Sequence, residues 1–440
     1  MVRFSRMRRS MSLSLPLLFA SSIALADETP AVINSGDTAF VALCSLVVLL
    51  MTLPGLALFY GGMARTKNVL SILMQVFCTA SLMSVLFAIY GYSLTFSNGG
   101  SLQAVIGGLD KLFMVGITKD SVVGTIPEYL YFLFMLLFAA ITPAIIVGGF
   151  AERMKFSAVM VFMAVWLTIN YIPMAHMAWG GGWVFDLGVQ DFAGGNVVHL
   201  NVGIAALVGA ALLGRRRGFG SPSLAPHNMT MTLTGGSLLW VGWLGFCGGC
   251  ALAASGYAML VMVNTMLASC AGALGWMIVE WQHRGRPSMF GALSGAIAGL
   301  VAITPACGFV GPMGAILLGF IAGPVCVWSV EKLKPMIGLD DAFDVFGVHG
   351  VAGILGGLLT PVFAMTAIGG QGFAEGRDLF SQLLVNGGAI LFSILFSAIT
   401  SLIAYKVAGM LCGGLRVDEE TEVDGLDLSS HGEVGYKYSN

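Results

Sequence analysis

Residues 341–354 read DAFDVFGVHGVAGI, and within them FGVHGVAGI (346–354) sets one histidine, His349, among glycine, valine and isoleucine. A polar ring in such a run is costly at membrane depth and usually faces an interior or a pathway. A single buried histidine has a plainer reading, as a satisfied packing residue between helices. The chain, however, carries the pattern twice. Residues 191–204 read DFAGGNVVHLNVGI, and both stretches follow D-x6-V-H-x3-G-I, 150 positions apart. Self-similarity of this kind marks an internal repeat.

Working outward, 57% of the 440 residues are apolar and 10% are charged, with a mean hydropathy of +0.87. A soluble domain carries about 25% charged residues, so this chain has too few to coat a water-facing surface. The class that fits is a polytopic membrane protein. A net charge of -2 and the lack of a basic stripe give no reason to expect a nucleic-acid partner. The first 26 residues read as a cleaved secretory signal: Arg3, Arg6, Arg8 and Arg9 precede an apolar stretch ending in Ala24-Leu25-Ala26. The membrane domain is then 27–411, followed by a tail at 412–440.

A spanning helix needs about 20 mostly apolar residues. Eleven candidates follow the signal, at 37–60, 69–96, 127–150, 157–177, 191–214, 230–254, 256–281, 289–304, 311–331, 341–366 and 379–411. Lys and Arg orient them. Thirteen lie on one set of connections (Arg65, Lys67, Arg153, Lys155, Arg215, Arg216, Arg217, Arg284, Arg286, Lys332, Lys334, Lys406 and Arg416), and three (Lys111, Lys119, Arg377) lie on the other. The N-terminus is therefore expected outside and the C-terminus in the cytoplasm. The two histidine motifs fall on the fifth and tenth helices. Five is odd, so the copies cross in opposite directions, an inverted repeat that places sites at the midplane. Each histidine is eight residues past its aspartate, about 12 Å deep at a rise of about 1.5 Å per residue. In a hydrocarbon core about 30 Å thick the two rings meet near the centre. Neutral imidazoles in contact can share one proton, one donating and the other accepting.

Six stretches then show a resemblance: PGLALFYGGMARTKNVLS (54–71), AERMKFSA (151–158), YIPMAHMAWGGGW (171–183), DFAGGNVVH (191–199), ITPACGF (303–309) and DVFGVHGVAGI (344–354). The chain resembles the ammonium transporter family of the ammonium transporter/Rhesus superfamily, bacterial type, over nearly all of its mature length. That resemblance implies an all-α integral membrane homotrimer in the bacterial inner membrane. Each subunit would have one narrow pore, built from an inverted five-plus-five helix repeat plus a long eleventh helix. It implies that His199 and His349 are the twin pore histidines and that Asp191 is the acidic residue outside the pore; the plainer reading of that position is a helix N-cap, and the two roles are compatible. It implies that Trp179 belongs to an outer ammonium site and that Phe138 and Phe246 are the stacked rings closing the mouth, where aromatic faces attract a small cation. No cofactor is implied. One position departs: Cys250, in GFCGGC (245–250), stands where the family commonly has serine, and a thiol is the weaker acceptor.

The expected activity is ammonium uptake, with methylammonium as analogue and ammonia passing the histidines. The tail, VDEETEVDGLDLSSHGE (417–433), is similar to the family's regulatory tail and implies docking of a PII-type nitrogen regulatory protein, whereas composition alone reads as a solvated end. An ammonium sensor is the alternative. A metal-ion transporter using Cys247, Cys250 and the histidines is a further one, since Cys-x-x-Cys suits soft metals, but the thiols sit helices away from the histidines. No TVGYG-like filter suggests a potassium channel, and no nucleophile–base set suggests an enzyme.

Overall fold

A computed structural model describes residues 32–220 and 224–436; the signal reading at 1–26 lies outside the described residues. Nine helical segments among them are long and apolar enough to cross a membrane: α1 Ser35–Met63, α2 Thr66–Phe96, α3 Glu128–Phe150, α4 Phe156–Asp186, α5 Gly195–Leu213, α7 Gly256–Arg284, α9 Pro312–Ile337, α10 Phe346–Ala364 and α11 Leu379–Leu411. Two helices occupy the remaining expected places. α6, Met229–Gly249, is long enough but diluted by threonine, glycine and tryptophan. α8, Met289–Ile303, has 15 residues and is apolar but short. Short helices α12 (Glu419–Asp424) and α13 (Leu426–His431) follow. Apart from a two-stranded pairing of Val122–Val123 with Ile126–Pro127, the described chain is helical, and the protein is a multi-pass membrane protein.

Polar caps mark where the helices start. The Asn34 side chain accepts the Gly36 and Asp37 amides at 2.8 and 3.1 Å. Asn228 accepts from Met231 at 2.9 Å, Ser288 from Gly291 at 2.9 Å, and Asp378 forms a capping box with Ser381. Each cap satisfies amides that no turn of helix could reach. The expected fifth and tenth spans are shorter than read. Both aspartates of the repeat lie before their helices, because Asp191 and Asp341 use their carboxylates to cap them.

Six helices widen into π turns, at Met51–Leu56, Phe87–Gly91, Leu167–Tyr171, Gly195–Leu200, Ser329–Leu333 and Phe346–Gly350. Four of these fall in corresponding pairs, α4 with α9 and α5 with α10, so the inverted repeat extends to local backbone form. Such turns gather at functional positions; His199 and His349 each lie inside one.

α5 and α10 cross at glycines. A Cβ on Gly203 would come within 2.4 Å of the Gly350 Cα, and one on Gly353 would sit 3.0 Å from the Leu200 amide. Gly203 and Gly353 are the glycines of the repeated motif, so the motif couples each histidine to a close helix crossing. α11, 33 residues and about 50 Å long at 1.5 Å per residue, packs on α4, α5 and α10 and so spans both halves. A polar seam joins it: Trp166 Nε1 donates to Ser401 Oγ at 2.9 Å, Asn170 Nδ2 to Thr400 Oγ1 at 2.6 Å, and Ser397 Oγ to the Asn201 carbonyl at 2.9 Å. Its opposite face exposes Leu384, Leu391, Leu395 and Ile399, as a lipid-facing stripe would.

The Lys/Arg-rich face is closed by a buried ionic network. Glu152 accepts from Arg65 Nε at 2.9 Å and Arg216 Nη1 at 3.2 Å, and Arg216 grips Asp340 at 2.9 and 3.0 Å. Burial would raise the Asp340 carboxyl, but the Arg216 guanidinium outweighs it and holds the group below the usual carboxylate range. The tail rests on this face. Arg416 and the Arg217 amide both reach the Glu422 carboxylate, at 2.6 and 2.8 Å, and Asp427 accepts the Leu70 and Ser71 amides at 3.0 and 2.7 Å. The acidic segment that composition reads as a solvated end is thus a set of helix and loop caps.

Candidate functional site

Asp191 stands at the start of α5. Its Oδ1 accepts the Gly194 and Gly195 amides at 3.1 and 2.6 Å, and its Oδ2 accepts the Asn196 amide at 2.8 Å. Burial pushes its carboxyl above the usual range, and these amides pull it back. Asp341 mirrors it at α10, accepting from Val345 and Phe346 at 3.1 and 2.7 Å. Burial and neighbouring Asp344 push Asp341 up to about 6, against Lys334 and the amides.

These caps aim the two π turns at each other. The Nδ1 atoms of His349 and His199 are 3.2 Å apart, with ring centroids 5.3 Å apart and planes 29° from parallel. One nitrogen must carry the proton and the other the lone pair. The His199 Nε2 has no hydrogen-bond partner among the described residues although it is buried, an unmet capacity that a polar guest would fill.

Above the pair, Phe138 of α3 and Phe246 of α6 stack with centroids 4.0 Å apart and planes at 17°. Trp179, in the last turn of α4 before the break at Gly180, meets Phe138 edge to face at 5.8 Å and 88°. Cys250 lies just past the end of α6, and its thiol donates to the Phe246 carbonyl at 3.2 Å. The thiol is therefore at the helix end, and not inside a continuous helix as the expected 230–254 span had it. Phe138, Phe246 and His199 are essentially without solvent contact, so the centre is closed and aromatic on one side.

The twin rings of the repeat and the aromatic cap lie against one another, and a model of the Ammonium Transporter Family matches residues 39–436. The chain belongs to the ammonium transporter family. An ammonium transporter of Bacillus subtilis (strain 168) is 46% identical to it over 411 residues, 92% of this chain and 99% of that protein. Among solved structures, Candida albicans Mep2 matches with a TM-score of 0.81 at 32% identity, covering 88% of this chain and 87% of that one. A protein described as Sensor Amt Protein matches with a TM-score of 0.82 at 27% identity, covering 90% and 98%.

Several residues around the histidine pair escaped the sequence reading. Trp243 stacks on His199 at 5.0 Å and 18° and lies over His349 at 6.5 Å and 16°, while its Nε1 donates to Thr304 Oγ1 at 2.9 Å. Its signal was available: Trp243 is three residues before Phe246, on the same face of α6. On the other side of His349, a cavity of about 40 Å³ is lined by Phe59, Tyr60, Ser294, Phe343, Asp344 and His349, among others. It has room for only a few waters. Tyr60, from the family-like stretch 54–71, donates to the Ile145 carbonyl at 2.8 Å. Asp344, paired with Lys334, sits at φ 59, a strained form for a residue with a side chain. The site is thus apolar and closed on the Phe138–Phe246 side of the histidines, and on the other side it meets a small, mostly apolar cavity with Tyr60, Ser294 and Asp344 among its polar groups.

Proposed function

We propose that this family member takes up ammonium across the bacterial cytoplasmic membrane and conducts it as ammonia. In this reading eleven helices cross the membrane, N-terminus outside and C-terminus in the cytoplasm, after removal of the signal at 1–26. Three copies assemble, each with its own pore. The cation is drawn to the outer mouth by Trp179 and the Phe138–Phe246 pair, with Asp191 supplying nearby negative charge and Cys250 a weak acceptor. Aromatic faces attract ammonium by the ring quadrupole, by about 0.5–2 kcal/mol depending on desolvation. The two phenyl rings then part, and the proton is left behind.

The observation that carries this reading is the His199–His349 contact at 3.2 Å in a dry passage. A bare ion faces a desolvation cost of several kcal/mol or more there, whereas neutral ammonia needs only one or two hydrogen bonds. Two touching imidazoles offer a donor and an acceptor at a point buried from solvent. Below His349 the guest passes through the small, mostly apolar cavity on its way back to water. Asp344 and Tyr60 line that exit.

The test is uptake of labelled methylammonium, competed by ammonium, in wild-type and His199→Ala/His349→Ala protein. The double variant is expected to leave a wider, wetter passage that admits potassium or no longer carries ammonium normally. Unchanged uptake together with unchanged selectivity would reduce the pair to packing. The sensor reading has one point in its favour, the likeness to the Sensor Amt Protein structure. It predicts methylammonium binding with little flux.

A further inference from the structure

The stretch HMAWGGGW (176–183) holds a histidine that the pore does not use. His176 is fully buried. Its Nδ1 lies 2.7 Å from the Thr95 carbonyl oxygen, in the last turn of α2, and its Nε2 lies 2.8 Å from the Gln103 carbonyl oxygen, in the connection 97–126. The ring spans two separate pieces of chain. A neutral imidazole donates to one of these carbonyls, and a ring with a proton on each nitrogen donates to both.

The three glycines wrap this ring. A Cβ on Gly180 would be 2.1 Å from the Thr95 oxygen and 2.5 Å from His176 Nδ1; Gly181 has φ +80; and a Cβ on Gly182 would be 2.6 Å from the Met177 Cα. No side chain fits at the first and third, and only glycine adopts the second without strain. Gln103 locks the wrap from outside. Its Nε2 donates to the Gly180 and Gly181 carbonyls, both at 3.0 Å, and the Trp183 amide donates to the Ala104 carbonyl at 3.0 Å. Trp179 is the residue before this wrapped turn and one helical turn after His176.

We propose that His176 is a positioning residue for the outer cation site, which with Gln103 clamps the glycine turn and so sets the Trp179 ring against Phe138. This rests on the reading of Trp179 as part of that site. Helical turns fray where their carbonyls lack partners; here the partners come from a loop, so the loop determines where the break in α4 at Gly180 and the tryptophan before it stand. Breaking the clamp lets Trp179 tilt away from the cation, and the effect appears in affinity before it appears in flux.

The experiment is methylammonium uptake into proteoliposomes by His176→Phe, His176→Gln, Gln103→Leu and Trp179→Leu proteins, with KM and maximal rate measured separately. His176→Phe keeps the ring volume and removes both contacts. KM is expected to rise about tenfold, the loss of roughly one good cation contact, while maximal rate stays within about twofold. Gln103→Leu, which leaves the buried ring untouched, is expected to do the same, and it carries the test if His176→Phe does not fold. His176→Gln, whose amide can still donate to one carbonyl, gives a smaller rise. Unchanged KM in Gln103→Leu and in the folded histidine variants, or a fall in maximal rate alone, overturns the clamp. If Trp179→Leu itself leaves KM unchanged, the outer-site reading fails instead.

Discussion

Cys250 stands one turn beyond Phe246, and its thiol already makes the hydrogen bond to the Phe246 carbonyl that a serine would make. A hydroxyl in the same place is smaller and keeps that bond, and its oxygen is a better acceptor toward a bound cation. Cys250→Ser is therefore expected to preserve methylammonium transport and to lower its KM a few-fold; a higher KM would mean the thiol itself suits the guest. The unmutated protein should contain no stoichiometric zinc or copper by elemental analysis; metal that is present and lost on Cys250→Ser would overturn this. Among the seven residues expected at the site, the histidines were the most legible from the chain, because repetition at a distance of 150 is visible without any structure. The aromatic residues were legible only through the family resemblance: a phenylalanine in an apolar helix has the same local pattern whether it meets lipid, core or cation. For Asp191 the helix N-cap was already one of the sequence readings, and the three amides it accepts bear that role out.

At the scale of the element, the histidine pair depends on how closely α5 and α10 approach. Gly203 and Gly350 meet backbone to backbone, and a Cβ on Gly203 has no flexible side chain to push aside. Alanine would raise helix propensity by up to about 1 kcal/mol, but overpacking at a rigid contact costs about 1–3 kcal/mol. Gly203→Ala is expected to lower the thermal unfolding midpoint and to impair transport, because forcing the helices apart draws His199 from His349. The check is unfolding monitored alongside uptake. A midpoint equal to wild type with full uptake would show that the crossing can relax. Element positions were read from hydropathy with fair success, but their ends and inner form were not. Periodicity counts apolar residues at helical spacing, and a π turn adds a residue without changing composition, so all six were invisible. Likewise α8 falls short of a spanning length because the chain turns at Ile303–Phe309, where Thr304 is bound to Trp243.

For the whole molecule, the tail and the basic face form one unit. Glu422 is held by Arg416 and by the Arg217 amide, and Asp427 caps the first turn of the helix at Val69–Leu86. We propose that a trimeric PII-type protein docks on this face and plugs the pores, reading the tail together with the connections it covers. Pull-down with a cognate PII protein is expected to weaken on deletion of 417–440. Capture unaffected by the deletion would assign docking to the connections alone. The deletion also strips the caps from Leu70 and Ser71, so a lower unfolding midpoint is expected whether or not PII binds.

The chain by itself determined the membrane class, the order of the helices, the doubled motif and the meeting of two histidines. All of these follow from composition, charge placement and repetition, which are properties of a string. Tertiary structure alone decided that the rings touch at 3.2 Å, that Trp243 stacks on them, that His176 clamps a glycine turn from a distant loop, and that the acidic tail is docked. The reason is physical: each of these depends on the distance between residues on different helices. That distance is set by which glycines let two backbones approach and which carbonyls are left for a distant side chain to satisfy.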